Sequence, residues 1–245
     1  MASVYEFNRY GEELERFLLL QSSPIAVKML ENEGDIPKEA LRPKKDRGIH
    51  LAQCQTFAMS RRDKTTVAML KEDNWCPAPL MAYGLVPGTR GSHTDYECLE
   101  YGKYIGILTA PLKTASFAPD IVLIYCDTNQ LRRLLLAIKN EDKKLLSANF
   151  FPPSCAHSVV PPIRNVQYRV VLPDPGEYTR ALTQAGEMMF SVPKDKLGGL
   201  VADLTQYRED APRYAHELHM IMRPDFPQPD IYKMMFKEWG VDLEK

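Results

Sequence analysis

The chain holds five cysteines, Cys54, Cys76, Cys98, Cys126 and Cys155, and no two of them form a Cys-x-x-Cys pair. Three stand in distinctive settings: Cys54 in LAQCQ, Cys76 in NWCPAP and Cys155 in PPSCAHSVVPP. Thiolates are the ligands that soft metals and iron–sulfur clusters take. Three of them brought together from separate segments would make a metal or cluster site. Cys76-Pro77 sharpens this, because proline follows a ligating cysteine in bacterial ferredoxin runs and turns the chain away from the cluster. The same dipeptide in a loop also suits a thiolate on haem iron. Two residues after Cys155 comes His157. On an extended segment the two side chains would share a face, as a ligand pair or as a thiol beside its activating base. His216 and His219, three apart, share a helix face, but without the four-residue spacing of the metalloprotease signature. Each feature also has a plain packing reading. Free cysteine on an apolar helix face or in a Pro-rich turn is commonly a small hydrophobe, and Cys98 and Cys126 are read first in that way.

The elements that must position these residues follow from periodicity. Phe7, Tyr10, Leu14, Phe17 and Leu18 recur at helical spacing and predict an amphipathic helix over 6–21, stopped by Ser23-Pro24. PIAVKML (24–30) and TTVAML (65–70) read as strands, with a helix around Cys54 between them. The stretch 74–91 is turn-rich. DIVLIYC (120–126) is a short buried strand, and Asp127-Thr128 caps the helix NQLRRLLLAIKN behind it. Cys126 then stands at the carboxyl end of its strand, where ligands of open α/β sheets bind. Further strands are expected near 157–161, in YRVVL (168–172) and in EMMFSV (187–192). A helix opens after Pro193, and two short helices occupy the tail. No internal repeat and no low-complexity tract is visible.

These elements predict an α/β (or α+β) fold. It is a single mixed-sheet domain flanked by helices over residues 1–205, with a helical C-terminal extension, 206–245, packed on it. A net charge of −1 offers no global basic field for nucleic acid. No apolar run is long enough to span a membrane, and the opening residues lack a secretory signal. The expectation is a cytoplasmic protein, where cysteines stay reduced. No Gly-x-Gly-x-x-Gly, Walker loop or Gly-x-Ser-x-Gly is present, which argues against nucleotide-dependent enzymes and serine hydrolases.

Six blocks occur in order: SSPIAVKML, LAQCQTFAMSRR, EDNWCPAPLMAYGL, PDIVLIYCDTNQLRRLLLAI, SCAHSVVPP and EMMFSVPKDKLGGLVADL. Together, over roughly residues 15–205, the chain resembles the archaeal-conserved-region family known as domain of unknown function 169. The resemblance implies a protein of anaerobic archaea and bacteria. It also implies that Cys54, Cys76 and Cys155 are the candidate ligand set, since cysteines recur in these blocks. Members of that family show a Gly-Cys or Gly-x-Arg element after the third cysteine block. Here the region reads VVLPDPGEYTR, so Gly176 and Arg180 correspond but no fourth cysteine does.

Three readings stay open. In the first, Cys54, Cys76 and Cys155 hold an iron–sulfur cluster for substrate chemistry or redox sensing, with one iron open or taken by a non-cysteine ligand such as His157. In the second, Cys76, His50, His157, His216 or His219 ligates a haem lined by Met188, Met189, Phe190, Tyr232, Met234, Met235, Phe236 and Trp239. The third is a metal-free small-molecule binding or interaction module with cysteines as apolar filler. A small-molecule substrate or redox partner and a homo-oligomeric state are the associations expected.

Overall fold

The structure is a computed structural model and describes residues 2–88, 97–141, 146, 148, 152–210 and 230–241. In chain order the first half carries α1 (Val4–Leu18), β1 (Ile25–Leu30), α2 (Pro43–Arg47), α3 (Gln53–Arg62), β2 (Val67–Leu70), α4 (Pro77–Ala82) and β3 (Gly106–Pro111). Next come β4 (Ile121–Cys126), α5 (Thr128–Glu141), α6 (Ser154–His157), α7 (Val160–Asn165), β5 (Arg169–Val171), α8 (Pro175–Arg180), β6 (Met188–Pro193), α9 (Lys194–Asp210) and α10 (Asp230–Glu238). By packing, residues 1–208 form one compact unit and 209–245 a second.

α1 opens on a capping box, in which Ser3 accepts from the Glu6 amide and the Glu6 carboxylate accepts from the Ser3 amide. It ends at Leu19, which adopts the left-handed conformation, before Ser23-Pro24 is reached. The strands form one six-stranded sheet in the order β2-β3-β1-β4-β6-β5, and every strand pair is antiparallel. Among the described residues, parallel pairing is confined to two isolated bridges, Leu41 with Val67 and Leu51 with Asn74.

Helices cover both faces of the sheet, which is why β3 and β4 are buried at every residue and read as continuous apolar runs. On one face Leu30, Leu108, Val122, Ile124 and Phe190 pack against α1, α5 and α9. On the other, Val27, Met69, Leu123, Tyr125 and Met189 pack against Phe57 of α3, Tyr83 just after α4, Ala156 of α6 and Val160 of α7. Cys126 belongs to the first face and Cys155 to the second. Strand alternation turns the Cys126 side chain to the first face, while α6, which carries Cys155, packs on the second.

Two expectations are corrected. Residues 157–161 are not a strand. Cys155 and His157 lie in α6, and Pro161-Pro162 begin α7. Prolines lack the amide a ladder needs but fit a first helical turn. The sheet also contains a repeat that the sequence hides. The order of its strands reads second, third, first in one half and first, third, second in the other. Ile25↔Pro111 and Leu30↔Gly106 have the counterparts Ile121↔Pro193 and Cys126↔Met188. Val67↔Thr109 and Met69↔Ile107 have the counterparts Arg169↔Ser191 and Val171↔Met189. The two halves meet at Ile25↔Leu123, Ala26↔Val122 and Val27↔Ile121, a pairing that maps onto itself when the halves are exchanged. A pseudo-twofold axis thus passes through the Ala26–Val122 pair. The counterpart segments GILTAP and MMFSVP share only their final proline, so sequence self-similarity is almost absent.

In the second unit, α10 exposes Ile231, Tyr232, Met234 and Trp239. His216 and His219 lie outside the described residues. Among the described residues no helix is long and apolar enough to cross a membrane.

Candidate cysteine site

Cys54, Cys76 and Cys155 each stand at the start of a helix. Cys54 is the second residue of α3, Cys76 is the N-cap of α4 before Pro77, and Cys155 is the second residue of α6. The pseudo-twofold axis explains this recurrence. α3 and α6 both lie between the first and second strands of their halves, so Cys54 and Cys155 are counterparts. α4 and α8 both lie between the second and third strands and both begin with proline. The counterpart of Cys76 is therefore Asp174, the N-cap before Pro175.

Cys54 is buried, and its thiol donates to the Gly176 carbonyl at 3.8 Å. It packs with Ala52, Ala58, Cys76 and Ala181. Cys76 is half-buried, its amide fixed by the Asn74 carboxamide oxygen at 2.9 Å. Cys155 is buried, and the fully buried Tyr83 hydroxyl donates to its carbonyl at 3.0 Å. Burial pushes the Cys155 thiol well up; the Glu177 carboxylate adds to that, and negative charge at Cys54 and Cys76 would add more. Burial raises Cys54 to about 11, with Glu177 again the largest charge effect and a hydrogen bond from Arg180 opposing it. The metal-free thiols of Cys54 and Cys155 are therefore protonated at neutral pH and poorly suited to nucleophilic catalysis.

α8 supplies the polar side of the site. Asp174 Oδ1 caps it, accepting from the amides of Gly176 at 2.7 Å and Glu177 at 3.3 Å. Asp174 Oδ2 accepts from the amide and hydroxyl of Ser154 at 2.7 and 3.0 Å, which ties the start of α8 to the start of α6. Glu177 is 0 % exposed. Its Oε2 accepts from Tyr125 at 3.0 Å and Thr183 at 3.1 Å, while Oε1 has no partner. Burial is the main reason its carboxyl is pushed up to about 7, opposed by those two hydrogen bonds. Arg180 reaches back over the site. It donates to Cys54 and lies 5.4 Å from the ring of Trp75. A β-carbon on Gly176 would come 2.1 Å from the Arg180 Nη2, so glycine leaves the space this guanidinium uses.

Beneath lies Arg61 of α3, with a fully buried side chain. It pairs with Glu187 at 3.0 Å and stacks on Tyr125 at 3.9 Å. Among the described residues, the buried side-chain polar atoms without a partner all belong to α3 and α8: Gln53 Oε1, Arg61 Nε, Arg62 Nε and Glu177 Oε1. Also among the described residues, no group of three or more His, Cys, Asp or Glu is spaced to hold a single metal ion.

A family comparison matches two overlapping stretches, residues 13–99 and 92–203, to DUF169, described as uncharacterised ArCR. The chain belongs to the DUF169 family. No curated protein and no solved structure matches it. In this DUF169 chain the matched stretches contain every residue of the site, including Gly176 and Arg180, which the fold brings to Cys54.

The remaining candidates stand apart. Helical α6 turns His157 roughly 200° from Cys155, so the two do not share a face as they would on an extended segment. His50 is exposed beside Lys44. Met189 and Phe190 point into opposite cores of the sheet, with Phe190 stacked on Tyr168 at 5.8 Å. Sequence reading missed Glu177, Asp174, Tyr125, Tyr83 and Arg61. The segment PDPGEYTR has the composition of a solvated turn, and the one available signal was the Asp-Pro helix start.

Proposed function

We propose that this chain is a cysteine-ligated cofactor protein, carrying an iron–sulfur cluster on Cys54, Cys76 and Cys155 for substrate chemistry or redox sensing. The observation that carries the reading is the repeat. Three cysteines from distant segments stand at symmetry-related helix starts on one side of the sheet, close enough for charge at one to raise another. The thiolates of a multi-iron cluster bind different irons and come from separate segments, as these three cysteines do. The donor set fits in charge as well. Thiolates bound to a cluster place negative charge where Arg180 already donates to Cys54. A bound cluster would supply electron storage or a Lewis-acidic iron. The chain's own residues would exclude water, through Tyr83 and the surrounding alanines, and balance charge, through Arg180.

Anaerobic purification or reconstitution with iron and sulfide tests this through absorption, iron and acid-labile sulfide. Cys54→Ser, Cys76→Ser and Cys155→Ser are each expected to lose at least about tenfold in cluster retention. Cys126→Ser, on the opposite face of the sheet, keeps it. A colourless protein whose iron content ignores all these substitutions would leave the metal-free binding module as the reading. A Soret band in place of sulfide would point to haem.

A further inference from the structure

Backbone pairing and side-chain packing both bring Cys54 beside Cys76. Shortly before each of them the chain forms the isolated parallel bridge between Leu51 and Asn74. The Leu51 amide donates to the Asp73 carbonyl at 3.0 Å, and the Trp75 amide donates to the Leu51 carbonyl at 3.3 Å. Chains paired in this way lie roughly 5 Å apart, within the span of about 4.4–6.8 Å that a disulfide bridges between Cα atoms. From that bridge one chain enters α3 with Cys54 in its first turn, and the other reaches Cys76 at the start of α4. The two side chains pack in one small cluster, whose other members, Ala52, Ala58 and Ala181, offer only methyl groups. Cys155 packs in a different core beside Tyr83, and Cys126 on the opposite face of the sheet. We propose that Cys54 and Cys76 are a dithiol pair that closes to a disulfide on reaction with a small-molecule disulfide. The pairing goes beyond the cluster reading and stands without it.

Access sets the order of events. Cys76 is half-buried between the exposed Trp75 and Pro77, and its side chain makes no capping hydrogen bond. Cys54 is 5 % exposed. The Cys76 thiolate attacks one sulfur of the reagent, whose S–S bond breaks, and a mixed disulfide forms on Cys76. Cys54 then attacks the Cys76 sulfur and expels the second small thiolate. Each departing thiolate takes up the proton its attacker gave up. Two cysteine thiols and one small disulfide thus become one protein disulfide and two small thiols, with two electrons passed to the reagent. Arg180, which donates to Cys54, places positive charge beside the second attacker. Once bonded, neither sulfur is a free thiolate, so closure of the pair and metal ligation by it exclude each other.

The test treats the metal-free full chain with oxidised glutathione, followed by alkylation, thiol counting and peptide mass mapping. Wild type is expected to fall from five free thiols by two, with Cys54 and Cys76 recovered as one cross-linked peptide. Cys54→Ala, which matches the alanines around it, is expected to stop with a single glutathione on Cys76. Cys76→Ser is expected to leave Cys54 unmodified, with both variants folded by circular dichroism. A glutathione that stays on Cys76 in wild type while Cys54 remains free would overturn the inference. So would a cross-link from Cys76 to Cys155, or five thiols still free after treatment. Iron and sulfide assays decide the cluster reading separately, so either conclusion can fail while the other holds.

Discussion

Glu177 gives the site a pH-dependent consequence for stability. Its carboxyl titrates near 7 in the fold against a reference of 4.5, because burial disfavours the anion more than Tyr125 and Thr183 favour it. Between those two values the metal-free native state keeps a proton that the unfolded chain has lost. Stability therefore falls as pH rises through this window, is fully present below about 4.5 and is lost above about 7. The size is on the order of 3 kcal/mol. Glu177→Gln mimics the protonated form and removes the dependence. In urea denaturation of metal-free protein, the variant is expected to gain on wild type by about that amount between pH 4.5 and pH 8. Parallel pH profiles would show that the carboxyl is not buried as described. None of this was legible in the residue itself. A glutamate between Gly176 and Tyr178 reads as solvated, and only the packing of α8 on α3 buries it. The cysteines were more legible, since their family-like blocks singled out Cys54, Cys76 and Cys155, and the fold packs Cys54 against Cys76.

At the scale of the elements, short apolar runs and capping signals were enough to locate most of the sheet and its long helices. β1, β2, β4, β5, β6, α1, α5 and α9 all fall where periodicity placed them, within a few residues. The misses share a cause. α6 and α7 occupy a Pro-rich stretch whose apolar residues alternate like a strand, and β3 follows a turn-rich segment that masks its start. Tertiary contacts decide both, as with Tyr83 holding the Cys155 carbonyl. The same packing makes Gly176 informative. It is the second residue of α8, where alanine is favoured over glycine by up to about 1 kcal/mol, and its missing β-carbon makes room for Arg180. A β-carbon there would also stand 2.8 Å from the capping Asp174 Oδ1, so Gly176→Ala is expected to lower stability by about 1 kcal/mol, the scale of a weakened cap, while displacing the guanidinium from Cys54 and Trp75. In a Trp239→Phe background, Trp75 fluorescence reports that displacement directly. Unchanged emission would mean that Arg180 does not depend on the glycine.

For the molecule as a whole, the repeat assigns the site to both halves. Cys54 and Cys76 come from the first, Cys155, Glu177 and Arg180 from the second. The halves join through the three-pair seam at Ala26–Val122, whereas β1–β3 and β4–β6 each pair along six residues. Sequence could not reveal this, because backbone pairing defines the repeat and side chains such as Thr109 and Ser191 keep only a buried hydroxyl in common. The covalent link between the halves is the short segment after β3, where Ala118 is exposed. A flexible insertion at such a site is tolerated at modest loop-closure cost. A protease site inserted after Ala118 and cut in the folded protein should therefore leave one particle. The fragments are expected to co-elute on size exclusion and to separate only in denaturant; with the proposed cluster reconstituted beforehand, they are expected to hold its iron together. Burial of β1 and β4 side chains on both faces of the seam is what holds them, so Val122→Asp, which places a charge at the axis, should split the cut protein without denaturant. Spontaneous separation of the unsubstituted fragments, or iron retained by one fragment alone, would refute a site built across the axis.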